Sequence, residues 1–427
     1  PRGATETQLA DIWRTVLGID AIDRNTSFFS LGGHSLLAVQ LVARIADAFN
    51  VDVPLRALFD NPTVAGLGEV LERSRSQRLP ALVALDHDGP SPPSFAQSRL
   101  LFLDQLEGAS AAYNMPAVLA VRGELDVDAL RIALCAMVER HEALRQVFDF
   151  DSGSPVTRLI EPYDPLHIED LSADSEASAV ARTEQLAREH ARTPFDLKSG
   201  PLLRFTLFVL GPQSYRLAFN MHHIVSDGWS IDVLIAGLAN DYQAAREGRT
   251  PSTSPPAIGY RAYADWQRRC LSGDAFNEQM SFWREYLSNA PELTALPTDH
   301  PRPAIQVHDG GAVPVRIEAA IARSLQGLAQ SRDTTLFVVL LSVFKLLLFR
   351  LSGERDLCVG VPVANRTDSR LESVVGLFLN TVVTRNRVPE SGSFGQFLDA
   401  VRHSTLAAFA HQAVPFEHLV EALSPTR

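Results

Sequence analysis

Apolar residues in the first part of the chain recur with the period of a helix. Spacings of three and four residues relate Leu9, Ile12, Trp13, Val16 and Leu17, and then Ala38, Leu41, Val42, Ile45 and Phe49. Such stripes are typical of helices that bury one face. Shorter apolar stretches follow at 55–59 and after Thr63. The pattern predicts a bundle of four helices that ends near residue 75, with Thr5 and Gln8 as a capping box for the first helix.

The pattern changes twice beyond residue 75. Residues 76–93 are rich in Pro, Ser, Gly and charge, which is typical of a linker. Helical stretches then alternate with short strands whose apolar residues occupy every second position, as in Tyr215, Leu217, Phe219 and Met221. The predicted helices lie at 125–144, 230–246 and 334–351, the hairpins at 147–160 and 202–221, and a further strand at 357–363. This order predicts an α/β region of two lobes, 94–265 and 266–427.

The composition is that of a folded protein without a nucleic-acid partner. Hydrophobic residues make up 46% of the 427 positions and charged residues 21%, close to the average of globular chains. The net charge is -11, and Lys and Arg form no cluster of the kind that neutralises a phosphate backbone. The N-terminus has no basic segment followed by an apolar run, so it predicts no secretory signal. We expect a cytoplasmic protein.

Cysteine spacing and hydropathy limit the chemistry further. The three cysteines are Cys135, Cys270 and Cys358. They lie far apart in the sequence, and their spacing matches neither a disulfide framework nor a metal site. The apolar stretch 336–351 is shorter than a typical membrane-spanning helix, and Lys345 and Arg350 interrupt it. It therefore predicts a buried core helix, and no membrane partner is expected.

The densest group of titratable residues lies in MHHIVSDGWS, residues 221–230. His222 and His223 come where a predicted strand ends, and Asp227 and Gly228 come where the next helix begins. A histidine accepts and returns protons near neutral pH, so the loop is a candidate general-base site. Adjacent histidines also occur as helix caps or core residues, and the pair alone does not decide between these roles. Two histidines and one aspartate make no convincing metal site.

Ser35, within LGGHSLLA at 31–38, allows three interpretations: a nucleophile, a helix cap or an attachment point. A nucleophile elbow requires glycine two residues after the serine, whereas this sequence has leucine there. Capping of the second helix is compatible with the sequence. On a helical wheel, Leu36 and Val39 lie on the polar face beside the serine, and exposed apolar pairs mark docking surfaces. The pattern favours a serine that another protein approaches.

Taken together, these motifs resemble a peptidyl carrier protein joined to a condensation domain of a nonribosomal peptide synthetase. FFSLGGHSLLAVQL around Ser35 resembles the carrier motif, and His34 favours the peptidyl type. Six later stretches resemble the condensation motifs in order, namely SFAQSRLLFL (94–103), RHEALRQVF (140–148), MHHIVSDGWS (221–230), YRAYADWQ (260–267), VVGLFLNTVVTR (374–385) and HQAVPFEHL (411–419). Leu101 and Gln146 stand where Trp and Thr are more usual. The likeness covers nearly the whole chain.

The resemblance implies a fold, a cofactor and a set of partners. It implies a four-helix carrier bundle followed by a two-lobed α/β condensation domain related to chloramphenicol acetyltransferase, with a second lobe that is incomplete at its C-terminal end. It also implies 4'-phosphopantetheine attached to Ser35 by a phosphopantetheinyl transferase, and loading by an adenylation domain. The donor is then an aminoacyl or peptidyl thioester, and the acceptor is an amine on a downstream peptidyl carrier protein.

The resemblance further implies roles for individual residues. His223 is expected at the reaction centre, as a base or as the group that holds the amine. His222 and Gly228 are expected to shape its loop. Asp227 is expected to be structural, with Arg366 as the candidate partner. The remaining implied site residues are Leu36 and Val39 for carrier docking, and Asn380 and Trp229 for structure or for lining the channel.

Two alternative functions stay open at this point. An epimerisation domain also follows a carrier and contains HHxxxDG, although its loop usually continues as DGVSWR, whereas this chain has DGWSIDVL. A non-catalytic platform that binds carriers would keep the motif without turnover. A cyclisation domain would have aspartates in place of the two histidines. Because no epimerase lies between carrier and condensation domain, an L-configured or glycine donor is expected.

Overall fold

The computed structural model describes residues 1–427 except 34, 50, 52, 54, 74–81, 86–88, 109, 152, 272–273, 302–309 and 424–427. Its helices are α1 (Gly3–Leu17), α2 (Ser35–Phe49), α3 (Leu55–Asp60), α4 (Val64–Arg73), α5 (Phe95–Glu107), α6 (Val127–Arg140), α7 (Glu176–Arg192), α8 (Gly228–Arg246), α9 (Tyr260–Cys270), α10 (Asp274–Tyr286), α11 (Ala319–Ser331), α12 (Leu336–Ser352), α13 (Phe394–Ala410) and α14 (Phe416–Leu423). Its strands are β1 (Asn114–Arg122), β2 (Gln146–Asp151), β3 (Ser154–Leu159), β4 (Leu166–Asp170), β5 (Leu203–Gly211), β6 (Ser214–His222), β7 (Asp356–Val363) and β8 (Asn380–Arg387).

The chain forms two compact units that each combine distant parts of the sequence. Unit 1 contains 1–79, 273–369 and 380–427, and unit 2 contains 80–272 and 370–379. The short segment 370–379 thus joins unit 2, although both of its neighbours in the sequence belong to unit 1. The domain boundaries stated from the sequence, at 75, 93 and 265, stay predictions.

The predicted N-terminal bundle is present as α1 to α4 within unit 1. Its core is aromatic and aliphatic, with fully buried side chains at Trp13, Phe28, Leu41, Leu58 and Leu67. The predicted capping box was wrong. Helix α1 already begins at Gly3 and has no side-chain cap at Arg2, whose backbone N–H instead donates to Glu6 Oε2 at 2.5 Å. The side-chain acceptor at the start of α1 is therefore Glu6, and Thr5 and Gln8 lie inside the helix.

The rest of unit 1 packs helices against a two-stranded antiparallel sheet of β7 and β8. Helix α12 corresponds to the predicted core helix, but the prediction of a buried helix was only partly right. One face is buried and includes Lys345, whereas Leu347 and Leu351 are 51% and 52% exposed. The ammonium group donates to Thr384 O at 2.8 Å and to Asn386 Oδ1 at 2.5 Å, and burial lowers the pKa of Lys345 to about 7. No single helix of the described residues is long and apolar enough to cross a membrane, although the bent pair of α11 and α12 passes that test by length and composition.

Unit 2 is built on a four-stranded sheet in the order β1-β6-β5-β4, in which only β4 and β5 run parallel. Side chains on one face of this sheet pack with α6 and α8, and they include the predicted alternating residues Leu217, Phe219 and Met221. Helix α7 packs against the same strands. Residues 82–85 and 89–94, which precede α5, also belong to this unit, since Leu82 is buried and Arg268 donates to Pro93 O at 3.0 and 2.7 Å.

Candidate active site

The histidine pair lies where β6 ends and a single 3-10 turn begins. His222 is the last residue of β6, and its backbone N–H donates to Leu202 O at 3.0 Å. His223 opens the turn His223–Val225, and its N–H donates to Tyr113 O at 2.9 Å. The backbone of both histidines is therefore fixed by the strands and loops beside them, as expected for a site built on a rigid sheet edge.

The imidazole of His223 has one nitrogen committed to a hydrogen bond within its own loop. His223 Nδ1 lies 2.7 Å from Ser226 O. A carbonyl oxygen can only accept, so Nδ1 must carry the proton, and in the neutral ring Nε2 keeps its lone pair. The side chain is half-buried, unlike that of His222. The loop thus presents one basic nitrogen in a set orientation.

The imidazole of His222 has a different environment and a different role. It is 3% exposed, and its Nδ1 accepts from Ile224 N at 3.2 Å, which makes it the cap of the 3-10 turn. Burial, and to a lesser extent the neighbouring His223, lowers the pKa of His222 to about 4. The ring is therefore neutral at physiological pH and supports the turn. Of the two histidines, only His223 offers a nitrogen suited to proton transfer.

Acid is expected to destabilise unit 2 through two buried histidines. Burial also lowers the pKa of His141 to about 4, with Arg140 contributing. A histidine whose folded pKa lies below its unfolded value of 6.5 favours folding fully above pH 6.5, and this contribution is lost as the pH falls towards 4. Each histidine should cost about 2 kcal/mol of unfolding free energy between pH 6.5 and 5. Urea unfolding at both pH values measures it.

A His141→Gln variant serves as the matched control for this pH dependence. It should lose close to half of the acid sensitivity of unit 2, because one of the two proton-binding groups is removed while the other stays. An identical pH dependence in wild-type protein and variant would contradict the assignment of a buried neutral ring at His141.

Asp227 anchors the loop through both carboxylate oxygens. Oδ1 accepts from Ser230 N at 2.8 Å and from Ser230 Oγ at 2.7 Å, which caps α8, and Oδ2 accepts from Phe378 N at 3.1 Å. The residue is 2% exposed. A buried carboxylate with several donors stabilises its surroundings rather than reacting. Asp227 therefore ties the histidine loop to the segment 370–379, while its pairing with Arg366, a buried residue of unit 1, stays a prediction.

Replacing Asp227 by alanine should weaken both the start of α8 and the contact of the histidine loop with the segment 370–379. The N–H groups of Ser230 and Phe378 would lose their acceptor, which costs about 1–3 kcal/mol for each buried donor, and α8 would lose its cap. We expect the free energy of unfolding of unit 2 to fall by about 3 kcal/mol. Urea unfolding measures the loss, and hydrogen exchange of the first turn of α8 locates it.

The isosteric variant Asp227→Asn distinguishes the contributions of the two carboxylate oxygens. Its single amide oxygen can accept from Ser230 or from Phe378 but not from both, so it should lose less stability than the alanine variant, which has no acceptor. Full stability in Asp227→Ala would show that these hydrogen bonds do not hold the loop.

Hydrogen bonds join four of the other sequence motifs to this loop or to its anchoring segment. Gln97 Nε2 donates to Ile224 O at 3.0 Å and to Gln146 Oε1 at 2.9 Å. Tyr260 Oη donates to Leu377 O at 2.5 Å. Gln97, Gln146, Tyr260 and Leu377 belong to the first, second, fourth and fifth motifs. Five motifs that are far apart in sequence thus form one hydrogen-bonded cluster in unit 2.

Sequence reasoning missed three groups that organise the loop. Ser226 O orients His223, Ser230 Oγ accepts from Gly376 N at 3.1 Å, and the ring of Tyr260 lies so close to Gly376 that an added Cβ would come within 1.9 Å of it. A backbone carbonyl has no signature in a sequence. Ser230 and Tyr260 lie inside motifs that resemble the family, and their place in these motifs is the signal by which the sequence could have singled them out.

Three further predicted site residues have well-defined surroundings. Gly228 is the first residue of α8, and a Cβ there would meet nothing within 4 Å, so the folded chain itself does not require glycine. Trp229 Nε1 donates to Glu372 O at 2.9 Å. Asn380 Nδ2 donates to Gln412 O and Val414 O, and its Oδ1 accepts from Phe416 N, so its amide joins β8 to the sixth motif. Their channel-lining role stays a prediction.

The predicted attachment serine opens a helix. Helix α2 begins at Ser35, and its first turn contains no acidic residue. The N-terminus of a helix carries partial positive charge and favours a phosphate group, so this position fits a phosphodiester linkage. The side chains of Ser35, Leu36 and Val39 lie outside the described residues, and the predicted docking surface stays a prediction. His34 lies outside them as well.

The described residues thus place a histidine at a strand end of an α/β unit and a helix-opening serine in the N-terminal four-helix bundle. A family model for the condensation domain matches residues 89–427, and one for the phosphopantetheine attachment site matches residues 7–71. The chain belongs to the condensation-domain family of nonribosomal peptide synthetases and begins with a carrier domain whose serine takes a covalent 4'-phosphopantetheine.

Relatives and solved structures agree with this assignment. The chain is 41% identical to a linear gramicidin synthase of Brevibacillus parabrevis, over 100% of this chain and 6% of that protein. It is 41% identical to the dimodular nonribosomal peptide synthase of Bacillus subtilis strain 168, over 100% of this chain and 18% of that protein. It therefore spans only a small part of these relatives.

The fold class predicted from the sequence is confirmed by a solved structure. The X-domain from teicoplanin biosynthesis matches with a TM-score of 0.74 and 28% identity, over 82% of this chain and 76% of that chain. Condensation domains are amide-bond-forming acyltransferases, which agrees with the enzyme class expected from the motifs.

Proposed function

We propose that the condensation domain forms an amide between an acyl group held on Ser35 of its own carrier and the amine of an aminoacyl group on a downstream carrier. The observation that carries this proposal is the bond from His223 Nδ1 to Ser226 O, because it leaves Nε2 as the proton-accepting nitrogen. When bound, the pantetheine arm supplies the thiol that holds the donor as a thioester. The other steps depend on residues of this chain.

The proposed chemistry needs little more than positioning and one proton acceptor. An α-amine with a pKa near 8 is partly neutral at physiological pH, and a thioester is already activated. The amine forms a C–N bond to the acyl carbon as the C–S bond breaks. His223 Nε2 takes the proton that the amine loses and returns it to the leaving sulfur. Alignment of the reactants supplies much of the remaining acceleration.

The proposed partners follow from this chemistry. A phosphopantetheinyl transferase modifies Ser35, an adenylation domain loads the arm, and a downstream peptidyl carrier protein presents the acceptor amine. Leu36 and Val39 are proposed as the carrier surface that these partners contact. The donor is proposed to be L-configured or glycine.

A second candidate function is favoured by one specific similarity. The X-domain from teicoplanin biosynthesis also has a solved structure in complex with OxyB, which matches this chain with a TM-score of 0.74. A docking platform of that kind would bind partner proteins through its surface without transfer of an acyl group. It would keep binding carriers when His223 is replaced and would form no amide.

Product analysis with donors of both configurations tests the proposal. The arm on Ser35 is loaded with an L- or a D-aminoacyl group and mixed with a downstream carrier that holds glycine. We expect a dipeptide from the L donor, with its configuration retained. Preference for the D donor would contradict the proposed stereochemistry. Racemised donor without dipeptide would favour epimerisation, and carrier binding without either product would favour a platform.

A further inference from the structure

Phe195 separates the catalytic loop from an arginine on a neighbouring strand. Its ring is 2% exposed and meets the ring of His222 edge to face, with ring centroids 6.2 Å apart. The guanidinium carbon of Arg204, on β5, lies over the ring of Phe195 at 4.1 Å from its centroid. Arg204 Nη2 also donates to Pro194 O at 3.3 Å. The arginine thus holds both the ring and the backbone of the segment that covers His222.

Side chains of the sheet also form hydrogen bonds to the segment that precedes Phe195. Asn114 Nδ2, on β1, donates to Ala191 O at 2.8 Å and to Thr193 O at 3.0 Å. Asn220 Nδ2, on β6, donates to His190 O at 2.8 Å. These bonds satisfy carbonyl groups at the C-terminal end of α7, where a helix leaves its last carbonyls short of donors, and His190 O also accepts from Thr193 N at 3.2 Å. Phe195 therefore follows a helix end that is fixed on two strands of the same sheet.

We infer that Arg204 is a positioning residue for the histidine loop, which it controls by pressing Phe195 against His222. This inference rests on the proposed role of His223. A guanidinium over an aromatic face is attracted by the ring quadrupole, and the attraction is stronger where water is partly excluded. The ring then limits the movement of His222, whose Nδ1 caps the turn that presents His223.

The charge state of His222 links this contact to activity. Its low pKa has burial as its first cause, and Phe195 is part of the cover. A protonated His222 would turn Nδ1 into a donor facing Ile224 N–H and would break the cap of the turn. Among the described titratable or charged groups, His223 lies on the same turn and Tyr113 packs its ring against that of His222. Arg204 lies on the other side of Phe195, and His190 lies on α7 against the same sheet.

The chain contains a matched control for this arrangement. Arg268 lies over the ring of Phe95 at 4.7 Å and also donates to a proline carbonyl, that of Pro93. It has the same two kinds of contact as Arg204 and also donates to Ser98 Oγ at 3.2 Å, but its ring belongs to Phe95 on α5 and not to the segment that packs on His222. A change that merely weakens a guanidinium–ring contact in unit 2 should affect Arg204→Gln and Arg268→Gln alike.

Single-turnover transfer from the Ser35 arm to a glycyl carrier, followed from pH 5 to 9, tests the inference. We expect Arg204→Gln to lower the rate at pH 8 about tenfold with little change in the half-saturating acceptor concentration. Its loss of activity on the acid side should begin at a higher pH than in wild-type protein, because a less covered His222 is protonated more readily. Arg204→Lys, which keeps the cation, should recover part of the rate and of the pH profile.

The outcomes distinguish this inference from the proposed function on which it rests. Full transfer by His223→Ala would overturn the proposed site itself. If His223→Ala is inactive while Arg204→Gln and Arg268→Gln share the same rate and acid-side profile, only the positioning role fails. If Arg204→Gln does not fold, Arg204→Lys takes its place in the test. A tenfold lower rate in Arg204→Lys, with the same loss of activity at acidic pH as in wild-type protein, would also overturn the positioning role.

Discussion

A Ser35→Ala variant is expected to take no phosphopantetheine and to transfer no acyl group. The side-chain oxygen of Ser35 is the proposed attachment atom at the start of α2, and alanine removes it while keeping the helix position. Intact-protein mass measurement after incubation with a phosphopantetheinyl transferase and coenzyme A should find the added mass on wild-type protein only. Transfer to a downstream carrier should then fall to the background rate of the mixture.

Ser30→Ala provides the matched control for this experiment. Ser30 is exposed in the loop before α2, and its hydroxyl bonds only to Ser27 O among the described contacts. This variant should be modified and loaded like wild-type protein. Added mass that persists in Ser35→Ala would refute the attachment site, whatever its effect on transfer.

Replacing His223 by alanine is expected to lower the rate of amide formation by about 10²–10⁴-fold, the usual contribution of a positioned general base. The expected loss is large because the loop offers a single basic nitrogen, Nε2, in a fixed orientation. The fold of unit 2 should persist, since the only described hydrogen bond of this side chain is the one to Ser226 O within its own loop. Rapid-quench kinetics with a preloaded arm on Ser35 isolates the bond-forming step.

A second histidine of similar geometry controls for indirect effects. His403 is exposed on α13, and its Nδ1 lies 2.6 Å from Asp399 O, so it also commits that nitrogen to a backbone carbonyl. His403→Ala should transfer at the wild-type rate. A comparable loss in both variants would mean that the assay responds to the fold rather than to the loop.

The local elements of the fold could be predicted because their signals are local. Apolar periodicity predicted α1, α2, α8 and α12, and alternation predicted the β5–β6 hairpin. The capping box was wrong because α1 begins at Gly3, two residues before Thr5, and its start is joined to Glu6. The sequence also could not predict that segment 370–379 belongs to unit 2, because this depends on contacts between residues that are far apart in the chain.

The candidate site could be located from the sequence but not explained by it. The loop from His222 to Gly228 was found from its residue types, and the structure adds what distinguishes its two histidines. His222 caps a turn in a buried position, whereas the tautomer of His223 is set by a backbone carbonyl. The roles of Phe195 and Arg204 depend on ring geometry, which residue spacing alone does not predict.

The most direct test of transfer from carrier to amine is intact-protein mass measurement of both carriers in one mixture. Wild-type protein with a labelled aminoacyl group on the Ser35 arm is mixed with a downstream carrier that holds glycine. The labelled mass should leave this chain and appear on the downstream carrier as a dipeptide, and His223→Ala should leave it largely in place. Equal transfer by the two proteins, or release of the label by hydrolysis without any dipeptide, would contradict the proposed function.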